Sequence, residues 1–92
     1  MSSQKLTPSP QKISKLFRLL GQPSHLEILL AIGKGEACVC HLKAATGYRQ
    51  AYISQHLMAL RREGLVSFRR DGRNIYYRLI NSSLLDVIFE AA

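Results

Sequence analysis

The chain is 92 residues long and carries 13 Lys and Arg against six Asp and Glu, a formal charge of +7. One domain fits this length and a second does not; so short a chain buries only roughly 60–65% of its unfolded surface, and pairing with a second copy would enlarge its core. The charge points to a polyanionic partner, while the lack of an apolar run near the roughly 18–20 residues of a membrane span, or of a signal-peptide stretch after Met1, leads us to expect a cytoplasmic chain with no membrane partner.

Residues 1–9 mix Ser, Gln, Thr and Pro without an apolar period and read as a flexible arm, leaving 10–92 as the folded unit. Ser9-Pro10 reads as an N-cap followed by proline at the first helical position. Ile13, Leu16, Phe17 and Leu20 then recur at helical spacing up to Gly21. A second helix begins near Pro23-Ser24 and is apolar on several sides, with Leu26, Ile28, Leu29, Leu30 and Ile32, before Gly33. Val39, Leu42 and Ala45 mark a short third helix closed by Gly47. Ile53, Leu57 and Leu60 mark a fourth that runs from Gln50 to Arg62. Two helices joined by a short Gly-containing turn form a helix-turn-helix.

After Gly64 the period changes from 3.6 to 2. Leu65, Val66 and Phe68, then Ile75 to Leu79, flank Asp71-Gly72, a hairpin signal. A lone hairpin is unstable and must pack on the helices. Asn81-Ser82-Ser83 caps a last helix with Leu84, Leu85, Ile88 and Phe89. The expected fold is mainly α with a two-stranded β-hairpin wing, a winged helix-turn-helix of order α-α-α-α-β-β-α.

With Ile53, Leu57 and Leu60 turned inward, the fourth helix leaves Gln50, Ala51, Tyr52, Ser54, Gln55 and His56 on or near its outer surface, with Arg49 just ahead. Gln can pair with an adenine edge in the major groove, and Ser and His can donate to phosphates. Arg61 and Arg62 are placed to reach the backbone. The hairpin tip adds Arg69, Arg70 and Arg73. Residues 47–78 hold seven arginines against two acids, and the aromatics among them are not read as interleaving in the way a single-strand stacking platform requires. Double-stranded DNA is the expected partner. The histidines, His25, His41 and His56, have no acidic partner at a motif spacing, and no phosphate loop or Ser/His/Asp set is present, so an enzyme is not expected.

Five stretches in register, Leu20–Leu29, Gly35–Leu42, Gln50–Leu57, Leu60–Val66 and Arg70–Tyr77, resemble the conserved segments of ArsR/SmtB-type metal-responsive repressors. The resemblance covers roughly residues 13–90. It implies a homodimer held by the first and last helices, through Ile13, Leu16, Phe17, Leu20, Leu84, Leu85, Ile88 and Phe89. It also implies a pseudo-palindromic operator, released when a metal, metalloid or other effector binds. The two apolar stripes support a dimer independently.

Cys38 and Cys40 sit where arsenic-responsive members of that family place two thiolate ligands. In a cytosolic chain such a pair is expected as free thiols, ligands or redox groups rather than as a structural disulfide. As(III), Sb(III), Cd(II), Pb(II), Cu(I) or Zn(II) would suit thiolates, the site being completed by His41, an outside thiol or the other subunit. A helix sets residues i and i+2 about 200° apart, so the two sulfurs converge only if Cys38 precedes the helix or its first turn unwinds. Lys43 stands where the resemblance would want a third cysteine, residues 1–15 contain none, and residues 82–92 offer Asp86 and Glu90 without a His. Three readings stand: a metal or metalloid site, a thiol redox switch, or two small packed residues with another effector.

Overall fold

Two prolines set where the chain turns helical. In the computed structural model, which describes residues 9–91, α1 runs Pro10–Leu20 and α2 Pro23–Ile32, each with proline in its first turn. There the missing N–H is no loss and the fixed φ suits the helix. Ser9 stands at the N-cap of α1, although its hydroxyl donates to Gln11 Oε1 at 2.8 Å instead of accepting from the helix. The arm expected over 1–9 lies, apart from Ser9, outside the described residues.

A two-residue strand, β1 (Ala37–Cys38), precedes α3 (Val39–Thr46) and α4 (Gln50–Arg62). Gly47 ends α3 with φ 78°, in the left-handed region that only Gly enters without strain. The hairpin follows as β2 (Val66–Asp71) and β3 (Asn74–Leu79), and α5 (Ser83–Ala91) comes last. Ahead of α5, Asn81 Oδ1 accepts the Ser83 N–H at 3.0 Å.

The sheet is antiparallel and three-stranded, in the order β1-β3-β2. β2 pairs with β3 from Val66↔Leu79 to Asp71↔Asn74, so Gly72 and Arg73 form the loop. The backbone φ is positive at Gly72 and, among the described residues, at no non-glycine residue, so Arg73 has negative φ, the pattern of a type II′ turn. The expected hairpin is present, its turn one residue later than Asp71-Gly72. The third strand was not expected: Ala37 pairs with Tyr77 and Cys38 with Tyr76. Two residues are too few to show an alternating pattern.

Ile28 and Leu29 of α2, Leu42 of α3, Ile53, Leu57 and Leu60 of α4, and Val66 of β2 are almost fully buried. Burying each such side chain stabilises the fold by about 1.5–3 kcal/mol. This cluster sets α3 and α4 against α2 and leaves the far side of α4 in solvent. Two residues expected in an intermolecular stripe, Leu20 of α1 and Leu85 of α5, belong to it instead. The helical period picks out an apolar stripe, but the member nearest the core is drawn under the chain's own fold. Ala45, grouped with Val39 and Leu42 by helical spacing, is exposed.

Candidate nucleic-acid interface

The inward face of α4 is Ile53, Leu57 and Leu60. The outward face begins at the helix N-terminus, where Arg49 occupies the N-cap and Gln50, Ala51, Tyr52 and Gln55 are exposed, with Ser54 half-buried. The free N–H groups of a helix N-terminus favour anions.

His56 departs from this face. It is half-buried, and its Nδ1 lies 2.9 Å from Nε2 of His25, which is 3% exposed. His25 Nδ1 in turn lies 2.8 Å from the Leu19 carbonyl oxygen. A carbonyl only accepts, so His25 Nδ1 carries a proton. One proton then lies between His25 Nε2 and His56 Nδ1, the donor being set by the tautomers of the two rings. Burial, and then the proximity of His25, holds the His56 pKa below its ordinary value. The expectation that His56 stands on the outer surface is corrected: it joins α4 to α2 and, through His25, to the end of α1.

Two aromatic rings extend this joint. Tyr52 packs edge-on against His56 with ring centroids 4.3 Å apart, and against Tyr48 at 4.8 Å. The Tyr52 hydroxyl donates to Ser24 Oγ at 3.1 Å, and the Tyr48 hydroxyl donates to Glu27 Oε1. The Glu27 bond raises the Tyr48 pKa. Ser24, His25, Glu27 and Tyr48 were missed as positioning residues, since their partners are remote in sequence.

The wing divides its arginines. Arg69 makes a two-pronged ion pair with Glu36, Nε to Oε2 at 2.9 Å and Nη2 to Oε1 at 2.9 Å, with Asp71 at 3.7 Å. Its guanidinium also lies 4.8 Å above the Tyr76 ring centre. The Arg69 hydrogen bond lowers the Glu36 pKa, and the same contact raises that of Arg69. Arg61 lies over Phe68 at 4.1 Å. Arg62, Arg70 and Arg73 are exposed and have no ion-pair partner among the described residues. Arg69, grouped with the tip arginines on sequence, is therefore held by the fold; Glu36, its counterion, has no local signal in the sequence.

Cys38 and Cys40 are joined by a disulfide, with Cα atoms 5.3 Å apart. The expectation of free thiols or ligands is corrected in this state. Cys38 lies before α3 in extended conformation, one of the two geometries that let the sulfurs converge, and its Sγ accepts the His41 N–H at 3.2 Å. The His41 side chain joins no ligand set: among the described residues no three His, Cys, Asp or Glu side chains are gathered as a metal ion requires. Sulfurs bonded to each other are not thiolate donors, so this arrangement does not fit a metal ion. The pair opens onto a depression of about 270 Å³ shared with Lys43 of α3, Gln50 of α4, and Arg73 and Asn74 of the wing.

On the first and last helices, Phe17 is 60%, Val87 55% and Phe89 65% exposed. Ile13, Leu16, Leu84 and Ile88 are half-buried. Val87 was not singled out on sequence, though it lies on the same helix. No helix among the described residues is long and apolar enough to cross a membrane.

Comparison with known proteins places this geometry. Residues 22–67 match the model of the family described as bacterial regulatory protein, arsR family. The chain is 37% identical over 82 residues to a transcriptional repressor SmtB homolog of Synechocystis, covering 89% of this chain and 62% of that protein. It is 34% identical over 80 residues to an arsenical resistance operon repressor of Staphylococcus aureus, covering 87% of this chain and 77% of that protein. The chain thus spans less than two thirds of the first of these relatives. Among solved structures, the homodimeric winged helix-turn-helix DNA-binding domain of Mb0332 from Mycobacterium bovis superposes with a TM-score of 0.73 at 29% identity, over 87% of this chain and 80% of that one. The winged helix-turn-helix architecture and the match across its centre lead to one assignment: this chain belongs to the arsR family of bacterial regulatory proteins.

Proposed function

We propose that the chain is a sequence-specific transcriptional repressor that binds double-stranded DNA as a homodimer and leaves a pseudo-palindromic operator when an effector acts. One observation carries the reading. Gln50 at the start of α4 and Arg73 at the wing tip line a single depression, both exposed, with Arg49, Gln55 and Arg70 also in solvent. Gln50 and Gln55 are suited to base edges. Arg49, Arg62, Arg70 and Arg73 are suited to phosphates, with Ala51, Tyr52 and Ser54 filling the approach.

The dimer reading rests on Phe17, Val87 and Phe89, large apolar side chains left in water on α1 and α5. Exposed apolar patches of this kind mark interaction surfaces. A relative of similar fold is described as homodimeric.

For the effector, the Cys38–Cys40 bond favours thiol redox chemistry over a metal ion. Cys38 caps α3, and α3 leads through Gly47 to the N-cap of α4, a short path along the chain from the pair to the exposed start of α4. The test is selection of duplexes from a random library, followed by titration with reduced and with oxidised protein. Log K should fall with log salt by about 0.9 per phosphate neutralised, and the two redox states should differ in affinity. A salt-independent affinity would overturn DNA binding. Equal affinity of the two states, with release of the reduced protein by As(III), Cd(II) or Zn(II), would return the effector to the metal reading.

A further inference from the structure

We propose that the depression bounded by Cys38, Cys40, Lys43, Gln50 and Arg73 is a reaction site for an anionic low-molecular-weight thiol, which opens the Cys38–Cys40 bond and stays joined to Cys40 as a mixed disulfide. The effect on DNA rests on the function proposed above; the chemistry at the sulfurs does not.

The two sulfurs are not equivalent. Cys40 is exposed, whereas Cys38 is half-buried and its Sγ accepts the His41 N–H at the N-cap of α3. Thiol–disulfide exchange needs access to the sulfur attacked and a place for negative charge on the sulfur that leaves. Access favours Cys40 as the one attacked. The N–H and the positive end of α3 favour Cys38 as the one that leaves. In the step, the thiolate sulfur of the small molecule bonds to Cys40 Sγ. The Cys38–Cys40 bond breaks, and its electron pair goes to Cys38 Sγ, which becomes a thiolate held by the His41 N–H. The disulfide is the oxidant and the small thiol is oxidised to the mixed disulfide, so no further reagent is needed.

The walls select the thiol. Lys43 and Arg73 both border the depression, neither has an ion-pair partner among the described residues, and no Asp or Glu lines it. A basic concavity concentrates anions. Its volume of about 270 Å³ lies at the small end of ligand sites, which suits a small thiol better than a protein thiol. Charge also decides how long the adduct lasts. The Cys38 thiolate sits two residues away and can re-form the original bond, expelling the small thiol. Carboxylates held by Lys43 and Arg73 slow that return, whereas a neutral or cationic thiol has no such anchor. An anionic adduct between Gln50 and Arg73 would stand where phosphates are expected and repel the duplex.

The test uses the oxidised 92-residue chain with glutathione, 2-mercaptoethanol or cysteamine at equal thiolate concentrations, quenched with acid and read by intact mass and peptide mapping. The expected result is a single adduct on Cys40, accumulating about five- to ten-fold more with glutathione than with cysteamine at low salt. Lys43→Gln should remove most of that advantage, and Lys43→Arg should keep it. Equal adduct from all three thiols, an adduct mapped to Cys38, or an advantage unchanged in Lys43→Gln would overturn the proposal. DNA binding is measured separately. If neither the oxidised nor the reduced chain binds duplexes, the repressor reading falls while the adduct chemistry stands. If the reduced and the adducted chains bind equally well, the regulatory consequence is wrong.

Discussion

Arg69 and Arg73 stand four residues apart on one hairpin and have opposite surroundings. Arg69 is gripped by Glu36 from the segment before β1, touched by Asp71 and laid over Tyr76. Arg73 projects at the turn with no counterion among the described residues. The root of the wing uses its cation to fix the sheet, and the tip keeps its cations for whatever approaches. A count of arginines treats the two alike, so net charge overstates the surface offered to DNA. The same division runs along α4, where Gln50 and Gln55 face solvent and His56 turns back to His25.

The largest expected effect is at the tip. Removing both free cations, Arg70→Ala with Arg73→Ala, should weaken binding to every duplex by at least about two orders of magnitude and reduce the salt slope by about two per protomer, about four for the dimer. Filter binding across a salt series measures both, and an unchanged slope would refute the tip's role. Next comes Gln50→Ala, which should cut the preference for the selected site over a scrambled one by about ten-fold while leaving nonspecific affinity nearly intact. Loss in equal measure on both sequences would remove Gln50 from base readout.

Smaller effects should follow at the root. Arg69→Ala should weaken duplex binding modestly and Glu36→Ala somewhat less, since only the former also loses Asp71 and the Tyr76 ring. The double variant should match Arg69→Ala because the ion pair is already broken. Their salt slopes should match the parent's. If Arg69→Ala instead lowers the slope as Arg73→Ala does, the contrast between root and tip collapses. The smallest effect concerns pH. The pKa of His56 is lowered in the folded chain, so the unfolded chain binds more protons as pH falls below the ordinary histidine value, about 6.5. Stability should be fully present above that value and decline as pH drops through it toward the folded value. Thermal melts from pH 8 to 5 should show this decline, and His56→Gln should flatten it; a slope that persists in the variant would assign it elsewhere.

Much of the fold was legible because its boundaries are written in residues with few backbone options. Pro10 and Pro23 open helices, Gly47 closes one, and Gly72 makes a tight hairpin turn. The inward face of α4 was equally plain from Ile53, Leu57 and Leu60. What escaped was pairing between distant segments. β1 exists only because Ala37 and Cys38 meet Tyr77 and Tyr76, far along the chain. The same holds for Glu36 with Arg69 and for His25 with His56. Periodicity assigns a residue to a face of its helix, but it does not reveal that Leu20 and Leu85 turn beneath the fold while Phe17 and Phe89 remain outside. The cysteine pair was visible as a reactive feature; its closure into a disulfide was not.

Cys38 holds three posts at once. It is the last residue of β1 and pairs with Tyr76, it caps α3 by accepting the His41 N–H, and it shares a bond with Cys40. An ordinary alanine exchange there would disturb strand edge, helix start and sulfur chemistry together, and its phenotype could be credited to any of them. Serine, which caps helices well and tolerates an extended backbone, would keep the scaffold and delete only the sulfur. At this position the choice of replacement decides which question a mutant answers.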